Sequence, residues 1–282
     1  MNTWDRLWPA PAKLNLFLHV VGRRADGYHL LQTVFRLIDC CDWIRYSPSQ
    51  SSQVGLAQPL AGVDESDELC VRAARQLQRE TGCTRGVKIT VSKNIPMGGG
   101  LGGGSSDAAT TLIALNRLWN LGLPRQRLAE LGAALGADVP FFLYGGNAFG
   151  EGIGDRLSPV VLPPAWYAVL VPPVSVPTRD MFAAPELTRD TKSITISSFS
   201  AGFGHNDLEP VACRRYAAVA EHLAWLKAFG DARMSGSGAC VFAQFDTERE
   251  ARSVVSGLPP AMRGFAVCGL DRHPLALDPS KH

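Results

Sequence analysis

The chain has 282 residues, 46% of them hydrophobic, and a formal net charge of +2. That length can bury a proper core in one large domain or two ordinary ones, and so small a charge gives no reason to expect a nucleic-acid partner. There is no apolar run of membrane-spanning length and no signal-peptide plan in Met1-Asn2-Thr3-Trp4-Asp5-Arg6, and the seven cysteines are scattered without metal-like pairing, so mostly buried, reduced thiols in a cytoplasmic protein are expected.

Residues 11–20 alternate. Ala12, Leu14, Leu16, Leu18 and Val20 share one face of a strand, and Lys13, Asn15, Phe17 and His19 share the other. A cation and an amide thus point the same way, which suits a solvated strand face as readily as a site. Asp26-Gly27 signals a turn and presents Tyr28 and His29 at the start of the next strand. Residues 47–61 are polar, with Pro48 and Pro59, and read as strand edge plus loop. Leu69, Ala73 and Leu77 recur at four and predict a helix over 67–80.

Val87, Ile89 and Val91 alternate as a half-buried strand, followed by Lys93. Then comes Pro96-Met97-Gly98-Gly99-Gly100-Leu101-Gly102-Gly103-Gly104-Ser105-Ser106-Asp107, and after it Ala108, Leu112, Leu115 and Trp119 on one helical face. Ser105 or Ser106 is expected to cap this helix, with Asp107 in its first turn. A glycine loop between a strand and a helix gathers free N–H groups and the positive helix end at one place. Phosphate is the natural occupant. No Gly-Lys-Ser/Thr closes the loop, so it is not a Walker A motif, and no acidic residue at the usual distance supports a dinucleotide fingerprint.

A helix is predicted over 125–135, ending at Gly136. Asp138 then serves equally well as a helix cap, with Pro140 in the first turn, or as a functional carboxylate. Residues 145–152 read as a glycine-rich hairpin, and 159–164, with three prolines, as a linker. Beyond it are a strand at 166–171, a helix start at 178–182 that carries Phe182, and a serine-rich loop at 193–204. A helix over 214–229, a glycine turn at 235–238 entering a buried strand, a helix at 248–255 and a strand at 264–268 complete a ferredoxin-like alternation.

The loop at 98–106 resembles the phosphate loop of the GHMP small-molecule kinases. Pro11-Ala12-Lys13-Leu14-Asn15-Leu16, Leu135-Gly136-Ala137-Asp138-Val139-Pro140 and Ser235-Gly236-Ser237-Gly238 are similar to further motifs of that family, in order along nearly the whole chain. The resemblance implies an α+β two-domain fold. Residues 1–158 would form a ribosomal-S5-domain-2-like domain that binds ATP phosphates, and 159–282 a ferredoxin-like domain closing the substrate cleft. It implies ATP-dependent phosphorylation of an alcohol, with Lys13 and Asp138 catalytic. ATP would be held by Lys93, although a solvated strand-end lysine fits that position as well, and by Pro96, Met97, Gly98, Gly99, Gly100, Leu101, Gly102, Gly103, Gly104, Ser105 and Ser106.

Asp26-Gly27-Tyr28-His29 resembles the turn with which one branch of the family holds a cytosine base in isoprenoid-precursor synthesis. Tyr28 would stack on the base, His29 would meet its polar edge, and Phe182 would take the opposite face, although a core phenylalanine fits that position too; Asn15 would line the pocket. Glu68 stands where some members have asparagine, which leaves an adenine contact there open. Mg²⁺ is expected with ATP, without an evident set of protein ligands. The partner expected is a small molecule carrying cytidine diphosphate, with no membrane and a monomer or weak homodimer. A GHMP kinase for a smaller alcohol and a non-catalytic nucleotide sensor on the same fold are the rival readings.

Overall fold

Two long strands, β1 (Trp8–Arg23) and β2 (His29–Ser49), run antiparallel from Trp8↔Ile44 to Arg23↔His29. The turn between them holds Gly27 at φ 90, a left-handed backbone that glycine adopts without Cβ crowding. The structure, a computed structural model, describes residues 3–60, 64–200 and 202–275. Ala61 and Ala201, at or within two of the expected loops, lie outside the described residues.

Of the two readings open for the face bearing Lys13 and Asn15, the solvated one does not hold. β1 is buried on both faces through Val20, with Lys13 at 2% and Asn15 at 3% exposure. Three apolar clusters meet on this one strand. Ala10 belongs to the first, Ala12, Leu14 and Phe17 to a second, and Leu18 and Val20 to a third. The register with β2 shifts between Pro11 and Ala12, opposite residues 38–41, and that bulge leaves Asp39 outside the pairing and Cys40 and Cys41 half-buried. The cysteines are free, but only Cys70 and Cys240 are fully buried. The other five, Cys40 and Cys41 beside the β2 bulge, Cys83 after α1, Cys213 within α6 and Cys268 within β10, are half-buried, so burial is less general than composition suggests.

The stretch expected to be strand edge plus loop contains a short strand, β3 (Val54–Leu56), parallel to β4 (Gly86–Ser92). Helix α1 (Leu69–Thr81) makes the crossover between them, capped by the Glu68 carboxylate accepting from Cys70 N and closed by Gly82 at φ 66. Helices α2 (Gly103–Leu118), α3 (Arg125–Ala133) and α4 (Val139–Tyr144) follow, then the hairpin β5 (Ala148–Glu151) and β6 (Arg156–Pro159). The second part comprises β7 (Trp166–Leu170), α5 (Thr178–Ala183), α6 (Glu209–Arg215), α7 (Ala217–Leu226), β8 (Ala232–Met234), β9 (Val241–Phe245), α8 (Glu248–Ser256) and β10 (Gly264–Leu270). The single helix expected over 214–229 is thus two, broken where Tyr216 turns extended at φ -131, ψ 96.

The strands form one ten-stranded sheet in which β2 is central. β1 covers one edge of β2, and β5, β10 and β4 share the other in succession. β10 also pairs with β7, which carries the sheet on through β9 to β8. No described helix is long and apolar enough to cross a membrane.

Ala108, Leu112, Leu115 and Trp119 all face the core as their spacing predicts, and α2 is the helix on which the first cluster is built. Replacing Leu112, which is fully buried, with Ala should cost about 2–5 kcal/mol of unfolding free energy in urea titrations. A loss below about 1 kcal/mol would show that the cluster collapses around the gap.

Candidate active site

Helix α2 begins three to four residues earlier than its hydroxyls suggest. Gly102, at φ 75, is the cap residue, and no side chain caps the helix. A Cβ at Gly102 would lie 2.9 Å from the Phe142 ring and 3.1 Å from Lys13 Cε, so only glycine lets the turn pass here. Ser105 and Ser106 are therefore inside the first turn, and Asp107 lies just beyond it. The first amides of α2 open into a cavity of about 540 Å³ whose wall includes every residue from Pro96 through Ser105. Ser106 faces away. It is fully buried, and its Oγ has no hydrogen-bond partner among the described residues.

Lys13 stands where β1, the glycine loop and α4 meet. Its Nζ donates to Asn15 Oδ1 at 2.5 Å and to the Gly100 carbonyl at 2.9 Å, and lies 3.4 Å from Asp138 Oδ2. Asn15 is held in turn, its Nδ2 donating to Thr33 Oγ1 at 2.9 Å and its backbone N–H to Ser235 Oγ at 3.2 Å. Ser235 Oγ donates to the same Gly100 carbonyl at 3.1 Å. Asp138 precedes α4, but its carboxylate makes no capping bond. It lines the cavity, one-third exposed and paired with the almost wholly buried Lys13. His19 shares the strand face but stacks among Phe17, Phe203 and His205 outside the cavity, and burial first, then the His205 charge, lowers its pKa.

Lys93 is not a solvated strand-end lysine. Its ammonium sits 2.5 Å from Asp42 Oδ2 and 2.7 Å from Asp107 Oδ2, while still reaching the cavity wall. Burial alone would depress its pKa, but the two carboxylates outweigh burial and raise it. Asp42 Oδ1 also accepts from the backbone of Asn94 at 2.6 Å and of Ile95 at 2.8 Å, which anchors the entrance to the glycine loop. Asp107 is pushed upward by burial, with the Asp42 charge adding to it and Lys93 opposing. Its Oδ1 has no hydrogen-bond partner among the described residues, and ligand atoms of Glu68, Cys70 and Asp107 lie within 4.8 Å of one another.

At the far end, the cavity reaches Phe182 on α5. His29 stacks on that ring with centroids 5.1 Å apart at 30°. Tyr28 is 61% exposed and, like His29, stands beside the cavity rather than in its wall. Phe182 is half-buried, packed on the third cluster and lining the cavity, so it is neither a pure core residue nor a free platform.

The model of the GHMP kinases N terminal domain matches residues 68–146, and that of the GHMP kinases C terminal domain matches 192–263. A Thiobacillus denitrificans protein is 60% identical over 271 residues, covering 96% of this chain and 98% of its own. The chain belongs to the GHMP kinases. That relative is called 4-diphosphocytidyl-2-C-methyl-D-erythritol kinase, as is one from Nitrosospira multiformis at 59% identity, covering 95% of this chain and 92% of its own. A crystal structure of 4-(cytidine 5'-diphospho)-2C-methyl-D-erythritol kinase superposes with a TM-score of 0.82 at 35% identity, covering 94% of this chain and all of that one. A mevalonate kinase structure, at 15% identity and a TM-score of 0.66, shares the fold. GHMP kinases use ATP, and the α+β two-domain fold follows from the two matched family domains.

The sequence places Ser235 in a motif but gives no side-chain role to it, to Asp42, to Thr33 or to Asp107 as a partner of Lys93. Asp42 left little signal, because Arg36, Asp39 and Arg45 are charged residues of the same strand. Thr33 and Ser235 left none, because their partners are distant in sequence.

The Asp107 shift has a measurable consequence. A carboxyl whose pKa is higher folded than unfolded binds more protons in the native state, so its contribution to stability is full at low pH and is lost as pH rises through the folded value, about 7. Melting temperatures of the wild type between pH 5 and 8 should therefore fall relative to those of Asp107→Asn. Parallel profiles would show that Asp107 titrates in the usual carboxylate range.

Proposed function

We propose that this GHMP kinase transfers the γ-phosphoryl group of ATP to the 2-hydroxyl of 4-diphosphocytidyl-2-C-methyl-D-erythritol, giving its 2-phosphate and ADP in non-mevalonate isoprenoid-precursor synthesis. The carrying observation is one continuous cavity that runs from the glycine loop, past Lys13 and Asp138, to Phe182. A long, two-ended substrate suits it. The near full-length identity to relatives bearing that name supports the same substrate.

In this reading Asp138 accepts the proton of the 2-hydroxyl as that oxygen bonds to the γ-phosphorus. The bond from phosphorus to the β–γ bridging oxygen breaks, and ADP leaves with that electron pair. Lys13, held by Asn15 and the Gly100 carbonyl, offsets charge on the transferring group. The amides of residues 98–105 bind the ATP phosphates, and Lys93 supports the loop from behind while reaching its cavity. Phosphoryl transfer rests on positioning and electrostatics, so this small cast suffices. Tyr28 and Phe182 supply aromatic faces for cytosine, His29 a polar edge and Asn15 a wall of the substrate pocket.

Mg²⁺ accompanies ATP in this proposal and neutralises phosphate charge. It takes chiefly phosphate and water oxygens with one or two carboxylates. The orphaned Asp107 Oδ1 and the Glu68 carboxylate, both on the cavity wall, suit it. The neighbouring Cys70 thiol, raised well above its usual pKa by burial and then by Asp107, does not. Residues 1–158 carry ATP and catalysis, and 159–282 close the cleft. Seven free thiols suit a cytoplasmic enzyme, acting as a monomer or weak homodimer.

Purified protein with Mg-ATP should release ADP only when the cytidine substrate is present. Release with homoserine, galactose or mevalonate instead would move the assignment to another family member. Asp138→Asn should lower kcat about 10²–10⁴-fold while leaving ATP binding nearly unchanged. Unchanged turnover would remove Asp138 from the chemistry. Tyr28→Ala should raise KM for the cytidine substrate about ten- to hundredfold and leave that for ATP alone; equal rises in both would count against base stacking.

A further inference from the structure

Arg189 lies beyond α5, far from the motifs that mark the family. Its guanidinium makes four hydrogen bonds. Nη1 donates to the Leu187 carbonyl at 3.0 Å, and Nη2 to the carbonyls of Phe182 at 3.1 Å and Ala184 at 2.6 Å. Those carbonyls are at the end of α5 and just past it, where helical acceptors run out of partners. The Nε–H donates to His29 Nε2 at 3.1 Å. One guanidinium thus ties the backbone of Phe182 to the side chain of His29, and the two rings it joins are stacked.

A guanidinium has five donors and no acceptor. His29 Nε2 must therefore offer its lone pair, and the proton of the neutral ring resides on Nδ1. Burial first, then the charges of Arg189 and of Arg23 on β1, lower the His29 pKa, which favours that neutral ring at working pH. Nδ1 has no hydrogen-bond partner among the described residues, and the ring is only half-buried.

We propose that Arg189 is a specificity-determining positioning residue, which locks His29 as a hydrogen-bond donor at Nδ1 and thereby makes the site choose cytosine over uracil. The inference rests on the cytidine-substrate reading above. Cytosine presents a bare acceptor at N3, where uracil carries N–H. A fixed donor meets the first and opposes the second. A ring free to exchange tautomers could offer a lone pair to uracil, and the choice would weaken. Discrimination of this kind comes from leaving the wrong ligand's polar group unpaired.

The test has two arms. In the first, ¹⁵N NMR of ligand-free, histidine-labelled protein reads the His29 tautomer, assigned through His29→Gln. The wild type should carry its proton on Nδ1, and Arg189→Met should shift protonation toward Nε2. In the second, steady-state kinetics compare the cytidine substrate with its uridine counterpart. Arg189→Met should raise KM for the cytidine substrate about tenfold. It should also narrow the cytidine-to-uridine ratio of kcat/KM at least tenfold, with kcat and KM for ATP nearly unchanged. Arg189→Lys, still a donor without an acceptor, should restore part of the ratio. A wild-type ring protonated on Nε2, or an unchanged ratio in a folded Arg189→Met, overturns the proposal. Should Arg189→Met fail to fold, the wild-type tautomer and the Arg189→Lys ratio decide the matter alone. A wild type that phosphorylates neither substrate overturns the cytidine reading and the specificity role with it. A wild type that phosphorylates the cytidine substrate with Nε2 protonated overturns the Arg189 role only.

Discussion

The site depends on where one buried ammonium is placed. Lys13 Nζ touches an amide oxygen of its own strand, a carbonyl of the glycine loop and a carboxylate that precedes α4. Burying a charge is costly unless it is paired and hydrogen-bonded. Here each partner comes from a different element, so satisfying the charge also fixes β1, the loop and α4 relative to one another. Lys93 does the same work one layer back, between Asp42 on β2 and Asp107 on α2. Two ammonium groups, each shared among separate elements, thus hold a loop that lacks a lysine of its own.

The second constraint is contact at backbone distance. Ala239 and Cys240 donate to the carbonyls of Gly98 and Gly99 at 3.3 and 3.1 Å, so the glycine turn at 235–238 docks directly on the glycine loop at 98–104. A Cβ at Gly100, where φ is 74, would stand 2.2 Å from the Ser235 carbonyl oxygen. A glycine at this position admits the backbone of the second part of the chain. Ser235 completes the arrangement by bonding both Asn15 and Gly100, so a residue more than two hundred positions away helps aim the amide beside Lys13.

Much of this was legible in the sequence. The alternation of β1, the four-residue recurrences of α1 and α2 and the glycine loop between strand and helix were plain, because they are local patterns. Placing Lys13 and Asn15 on one face needed only the period of a strand. The start of α2 was misjudged because hydroxyls ordinarily cap helices, whereas three glycines in a row let this one begin without a cap. The short β3 was hidden because its partner, β4, lies across a helix, and three polar-flanked residues carry too little pattern to read. The break at Tyr216 was hidden because the apolar stripe runs through it. The Asp42–Lys93–Asp107 group and the Arg189 clamp are assembled by tertiary packing, which no window along the chain records.

The place of β10 in the sheet bears on how a newly made chain matures. It inserts between β2 and β7 and pairs Leu270 with Leu37 and Gly269 with Ile38, so among the described residues the strand that joins the two parts of the sheet is made after the other nine. Until that strand leaves the ribosome, the edges of β2 and β7 that await it are open to pairing with other chains. Closing so long a loop is also slow relative to forming the local hairpins and helices before it. The polypeptide therefore has its glycine loop long before it has a finished sheet.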